Sequence, residues 1–280
     1  MAAKATRRKT AAQRSLRLGL RGADVKALQQ RLRSKGFNPG AADGIFGNAT
    51  QAAVLAFQRS ENLLADGVVG PRTLAALFGG KPAPLPDATA ALDPISVSRM
   101  FPFTPVGNIK RNLPFVLEAL KRAGLHDRLM VLMALATIRA ETESFEPVAE
   151  GQSRFNTSPS GHPFDLYDNR ADLGNRGEPD GGRYRGRGYV QLTGRHNYGK
   201  YGDKIGLGGK LLDEPDLACK PDVAGDLLAA FLGEREREIK EALLDQDFAR
   251  ARRLVNGGSH GLDRFVAAYR AGVEITAPSA

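Results

Sequence analysis

The chain has 280 residues, 42% of them hydrophobic, which suits one or two globular domains, and it holds no long apolar run of the kind that crosses a membrane. Its single cysteine, Cys219, excludes an intramolecular disulfide and has no Cys or His neighbour at metal-ligand spacing, so it reads as a small buried apolar residue. The net charge of +9 sits at the front: residues 1–15 carry five bases and no acid, residues 16–80 eight bases and four acids, and the remaining 200 are neutral. A basic front on a neutral body points to attraction to a polyanion, whether cell wall, lipid headgroups or nucleic acid.

Residues 1–15, with Lys4, Arg7, Arg8, Lys9 and Arg14, read as a solvated, disordered tail. The tail lacks the apolar core of a secretory signal, so export by that route is not expected. Residues 16–80 read as a small three-helix domain. Val25, Leu28 and Leu32 recur at helical spacing, with Asp24 as N-cap and Gly36 as stop. An internal repeat follows, Asp43-Gly44-Ile45-Phe46-Gly47-Asn48-Ala49-Thr50 over Asp66-Gly67-Val68-Val69-Gly70-Pro71-Arg72-Thr73. Each Asp-Gly predicts a tight turn, and each Thr lies near a helix start.

Residues 81–97, rich in Pro and Ala, read as a semi-extended linker. Beyond it, apolar spacings of three and four predict helices over 109–123, 126–140, 223–244, 248–255 and 262–271. Residues 145–209 turn to Gly, Asn, Asp and Arg, with too little alternation for a sizeable sheet. The expected fold is mainly α: a second, larger helical domain over 98–273 with a long irregular polar insert, followed by a tail over 274–280. Such an insert inside a compact domain is usually functional.

The chemistry falls where helix and insert meet. Leu129, Leu132, Met133, Ala136 and Ile138 make an apolar helix that ends near Glu141, and a carboxyl group against apolar walls tends to hold its proton, as a general acid must. Pro147 stops helical continuation, and Glu150 follows a short turn. Inverting glycoside hydrolysis needs two carboxyl groups roughly 6.5–9.5 Å apart, a span that nine residues through a turn can reach. The other reading is that Glu141, Glu143, Glu146 and Glu150 form a solvated acidic face. The run from Tyr184 to Gly199 packs glycines, guanidinium groups, amides and aromatic rings into sixteen residues, which suits the wall of a polar groove. His126, His162, His196 and His260 show no zinc spacing, and no Gly-x-Ser-x-Gly elbow or Walker loop occurs, so no metal or cofactor is expected. Gly186-Arg187-Gly188 is a weak nucleic-acid signal, and no nucleic-acid partner is expected.

Leu18-Gly19-Leu20-Arg21-Gly22-Ala23-Asp24-Val25-Lys26-Ala27-Leu28-Gln29 with the two Asp-Gly turns resembles the peptidoglycan-binding domain of bacterial and phage wall hydrolases, over about residues 16–79. The resemblance implies capture of peptidoglycan in a shallow groove near Asp43, Gly44, Asp66 and Gly67; the alternative is that these residues only build the turns. Ala140-Glu141-Thr142, the Glu nine residues on, the 184–199 run and Val255-Asn256-Gly257-Gly258 resemble, in the same order, the motifs of glycoside hydrolase family 19, which comprises plant-type chitinases and phage or bacterial endolysins. Asn169-Arg170 and Asp180-Gly181-Gly182 bring the resemblance closest to the endolysin branch, over residues 100–272. It implies a lysozyme-like fold with Glu141 as proton donor and Glu150 as base. It also implies sugar or water contacts at Gln191, Thr193, Asn197 and Asn256, with Arg264 supporting the network, and the chemistry agrees, since a tyrosine of the run such as Tyr189 can pack against a sugar ring.

The expected protein is a monomeric endolysin that hydrolyses β-1,4 links in peptidoglycan with inversion. It would be made in the host cytoplasm and reach the wall through a holin, with weak contact between residues 1–15 and an anionic membrane. The rivals are a chitinase, a non-catalytic wall-binding or virion structural protein, and a nucleic-acid binder.

Overall fold

The computed structural model describes residues 14–61, 63–80, 86–256 and 261–277. The chain divides into two compact units, Met1–Pro84 and Leu85–Ala280. No described helix is long and apolar enough to cross a membrane.

The first unit contains α1 (Ala23–Ser34), α2 (Asn48–Ser60) and α3 (Pro71–Phe78). Val25, Leu28, Leu32, Val54, Phe57 and Leu77 turn inward from the three helices, and Leu16, Phe46 and Val69 close the core. The repeat has a physical basis that its apolar pattern does not show: a glutamine from the preceding helix is buried inside each turn. Gln29 Oε1 accepts from Gly44 N at 2.9 Å, while its Nε2 faces Asp43 Oδ1, Ile45 O and Thr50 Oγ1 at 3.0–3.1 Å. Gln58 does the same for the second turn, with Gly67 N at 2.9 Å, Asp66 Oδ1 at 2.8 Å, Val68 O at 3.0 Å and Thr73 Oγ1 at 3.1 Å. Gly44 and Gly67 are buried in the left-handed region, φ 82° and 69°, where a side chain would be strained. These four residues build the two turns: the glycines supply the left-handed backbone, and each aspartate, itself exposed, spends Oδ1 on its own turn. Asp24 is not the N-cap of α1, which is Gly22; it lies in the first turn and pairs with Arg14 at 2.7 Å. Residues 1–13 of the expected tail lie outside the described residues.

The second unit begins earlier than the linker prediction allows. Residues 86–97 fold onto it: Ala88 N donates to His126 O at 2.8 Å, Asp93 caps α4 (Pro94–Ser98), and Leu92 and Val97 are buried. Residues 81–85 lie outside the described residues. α5 (Val106–Arg122) and α6 (Arg128–Glu141) follow. Every residue of α6 from Met130 to Ala140 is buried, so this helix is the axis of the unit. Asp127 caps it through Leu129 N at 3.2 Å and is paired with Lys240 Nζ at 2.7 Å.

The insert then forms a two-stranded antiparallel ribbon, β1 (Val148–Ala149) with β2 (Arg187–Gly188), enclosing α7 (Asp165–Asp168) and α8 (Asp180–Arg183). It is less irregular than its composition predicts, because ion pairs with one buried partner each organise it. Arg195 holds Asp180 at 2.5 Å, and Arg187, 2% exposed, bonds Asp216, Tyr198 Oη and the Arg183 and Arg185 carbonyls. α9 (Arg195–Lys204) and α10 (Lys210–Asp213) share a second core with Tyr184 and Leu192. α11 (Pro221–Gly233) packs along α5, and α12 (Glu236–Leu244), α13 (Phe248–Asn256) and α14 (Leu262–Ile275) complete the unit, α14 along α6. The single helix expected over 223–244 is thus two helices, broken at Glu234 and Arg235, and part of the expected 274–280 tail belongs to α14.

Candidate active site

Glu141 is the last residue of α6, where the macrodipole is negative and a carboxylate needs a cation. Arg252 on α13 supplies it: the fully buried guanidinium donates from Nη2 to Glu141 Oε1 at 2.6 Å, and the Glu141 side chain is 16% exposed. Its surroundings are therefore apolar helix on one side and a guanidinium on the other, not apolar walls alone.

The chain leaving α6 is tied down residue by residue. The Thr104 hydroxyl donates to the Glu143 carbonyl, Asn108 Nδ2 to Ser144 O at 3.0 Å, and Asn112 Nδ2 to Phe145 O at 3.0 Å. Phe145 turns into the left-handed region, φ 57°, and its ring packs against Phe101. Glu143 and Glu146 are ion-paired to Arg139 at 2.9 Å and Arg111 at 2.8 Å.

Glu150 follows β1 and is held from three directions. Its backbone N donates to Gly186 O at 2.8 Å. Asn156 Nδ2 and Tyr167 Oη donate to Oε1 at 2.9 and 3.0 Å, and Gly186 N donates to Oε2 at 3.2 Å. Burial, together with the Glu150 charge and that hydrogen bond, pushes the Tyr167 phenol up to about 12. The phenol therefore stays a donor.

Gln191 and Thr193 converge on the same place, and Asn197 is tied to the Thr193 backbone. A Cβ at Gly186 would come within 2.9 Å of Gln191 Oε1, 3.1 Å of Glu150 Oε2 and 3.3 Å of Thr193 Oγ1, so a side chain here would crowd the groups that meet over this glycine. Gln191, itself at φ 49°, donates from Nε2 to Gly188 O at 3.0 Å and Val148 O at 3.2 Å. Thr193 Oγ1 donates to Gln191 O at 2.9 Å and Asn197 Nδ2 to Thr193 O at 2.8 Å.

Two expected site residues lie elsewhere. Tyr189 is fully buried, edge-on to Phe145, so its ring cannot serve as a platform for sugar. Arg264 stands 3.7 Å from Glu143 and not on Glu141, the position Arg252 takes. Asn256 ends α13, with its side chain outside the described residues, as are Gly257 and Gly258. Sequence reading missed Arg252, Asn156 and Tyr167. Arg252 left a signal: it lies on the apolar stripe of Phe248, Ala251 and Val255, where an arginine must be paired. Asn156 and Tyr167 left none, being polar or aromatic residues in a polar insert.

Residues 21–77 match the family model for a putative peptidoglycan binding domain. Over 59 residues the chain is 48% identical to the N-acetylmuramoyl-L-alanine amidase CwlM of Mycobacterium tuberculosis, covering 21% of this chain and 14% of that protein. Over 107 residues it is 33% identical to a glycosyl hydrolase family 19 domain-containing protein of Haemophilus influenzae, covering 38% of this chain and 49% of that one. The chain thus spans half or less of the length of these relatives. The solved structure of a bacterial family 19 chitinase matches 68% of this chain and 96% of its own, at 20% identity and a TM-score of 0.48. The chain is modular: a peptidoglycan-binding type of domain precedes a mainly helical domain similar to glycoside hydrolase family 19.

Proposed function

We propose that this chain is an endolysin-type glycoside hydrolase whose first unit captures peptidoglycan and whose second unit cuts the β-1,4 links of its glycan. The observation that carries the reading is the convergence of Glu150, Gln191 and Thr193 at Gly186, with three donors fixing the Glu150 carboxylate and a second carboxylate, Glu141, presented at the end of a buried helix. In the proposed reaction Glu141 gives its proton to the glycosidic oxygen as the C–O bond breaks. Glu150 takes a proton from the water that attacks the anomeric carbon from the opposite face, which inverts its configuration. The hydroxyl and amides of Thr193, Gln191 and Asn197 suit that water and the sugar hydroxyls and N-acetyl groups.

The test is Glu141→Gln, which should lower the release of reducing ends from purified sacculi to below about one-thousandth while sacculus pull-down persists. Undiminished release sinks Glu141 as the acid, and no release even from the unaltered chain, with sacculus pull-down intact, favours a non-catalytic wall-binding protein. Chitin uses the same sugar chemistry, and faster sugar release from chitin than from sacculi would favour the chitinase. Action at the wall after release from the cytoplasm through a holin belongs to the same proposal. A change in intact-cell lysis on trimming residues 2–15 would assign the tail a membrane role.

A further inference from the structure

A cavity of about 450 Å³ opens between α5, the segment entering β1 and the start of α11, lined by Arg111, Phe115, Glu146, Pro147 and Val148 among others. None of these side chains holds Glu141 or Glu150. Phe115 and Val148 are 43% and 41% exposed, so both offer apolar surface to the cavity. Arg111 and Glu146 meet there at 2.8 Å with much of both side chains in solvent. An exposed ion pair of this kind is worth little, so either partner can exchange for a ligand charge at small cost. The cavity also adjoins the candidate site: the Val148 carbonyl accepts from Gln191 Nε2 at 3.2 Å, and Glu150 is two residues further on.

A cation, an anion and apolar surface together do not suit a bare neutral glycan, whose chemistry the Gln191, Thr193 and Asn197 group already matches. They suit a short zwitterionic peptide with methyl side chains, free carboxylates and an amine, and the volume admits about two or three small residues. Peptidoglycan carries such a stem peptide on every second sugar, and chitin carries none. We propose that this cavity receives the stem peptide, with Arg111 on a carboxylate, Glu146 on the amine and Phe115 and Val148 against the methyl groups. The enzyme is thereby made selective for peptide-bearing glycan. The inference rests on the reading of the second unit as a peptidoglycan hydrolase.

The experiment compares purified sacculi with the same sacculi stripped of stem peptides by an amidase, using the full chain. Arg111→Ala and, independently, Phe115→Ala should each lower kcat/KM on intact sacculi about tenfold, mainly through KM, and change it less than about twofold on stripped glycan. Phe115→Ala leaves the ion pair intact and so separates ligand contact from any loosening of the segment after α6. Equal losses on both substrates, or no loss on either, overturn the inference while leaving wall hydrolysis standing. A wild-type chain that cuts neither substrate overturns the hydrolase reading, and the inference with it.

Discussion

In the first unit Gln29 and Gln58 are buried and spend their amides on turns 14 and 8 residues further along the chain. In the second, buried Arg252 reaches a carboxylate 111 residues back, and Glu150 meets Gly186 across 36. The first kind of network closes on itself and leaves the Asp-Gly turns rigid. The second brings the Glu150 carboxylate, the Gln191 amide and the Thr193 hydroxyl together around a glycine. The buried glutamines of the first unit are used up by their turns, whereas the second unit holds a carboxylate beside side-chain amide and hydroxyl groups of a candidate site.

The largest expected effect of the contrast is at Arg252. Arg252→Ala should remove at least about 99% of sacculus hydrolysis and cost about 3 kcal/mol, because the carboxylate that Glu141 becomes on giving up its proton is left without a cation at the negative end of α6. Arg252→Lys keeps the charge but not the planar fork, so partial rescue of stability with little rescue of rate is expected. Urea melts and reducing-sugar assays on both variants check this. Full activity in Arg252→Ala would mean that the pair is scaffold only, as in the first unit.

The corresponding change in the first unit is Gln58→Ala, which strips a buried turn of one acceptor and its shared donors and should cost about 2–3 kcal/mol. Hydrogen exchange of the α2 and α3 amides reads that loss locally. Hydrolysis of short soluble glycan fragments should not change, whereas the rate on whole walls should fall as tethering is lost. A drop on soluble fragments would contradict the separation of roles.

The same contrast explains what was legible in the sequence. The repeat around Asp43 and Asp66 and the α6 pattern ending at Glu141 were readable because each depends on local spacing, whereas Gln191 and Thr193 were named by the family resemblance alone. The folding of residues 86–97 onto the second unit was hidden because Leu92 and Val97 supply too few apolar positions for a periodicity. Tyr189 misled because composition cannot tell which face of a Gly-rich run a ring takes. Arg252 was readable only as an anomaly in a helix stripe, since its partner is remote.

A smaller effect is expected at Tyr167. Tyr167→Phe removes one of the donors to Glu150 and should lower kcat about tenfold with KM unchanged, as for a group that positions the base. Steady-state kinetics on sacculi decide it, and a rise in KM alone would place Tyr167 on the sugar instead.

Glu234 offers a test by pH of a network that is structural although it lies in the second unit. Burial opposes its charge, but hydrogen bonds from Lys200, Lys204 and Tyr201 outweigh that and hold the carboxyl down at about 2. A depressed carboxyl contributes stability above the ordinary glutamate range and loses it as pH falls toward about 2. Glu234→Gln should therefore cost about 1–2 kcal/mol at neutral pH, after allowance for solvent screening, and almost nothing near the acid end. Melts across that range, with hydrolysis measured alongside, should show stability moving and kcat staying.

The smallest effect is expected at Tyr189. Its ring is in the core and its hydroxyl is buried with no hydrogen bond among the described residues, so the oxygen adds desolvation cost without a partner. Burial also raises its phenol well above the ordinary tyrosine range, which keeps it neutral throughout the working pH. Tyr189→Phe should accordingly leave kcat/KM unchanged and shift stability by less than about 1 kcal/mol, with gain favoured over loss. If the variant instead raised KM for sacculi, the ring would have to leave the core when glycan binds. The closed polar networks of the first unit would then be a poor guide to the second, where a side chain buried at rest would also serve as a ligand contact.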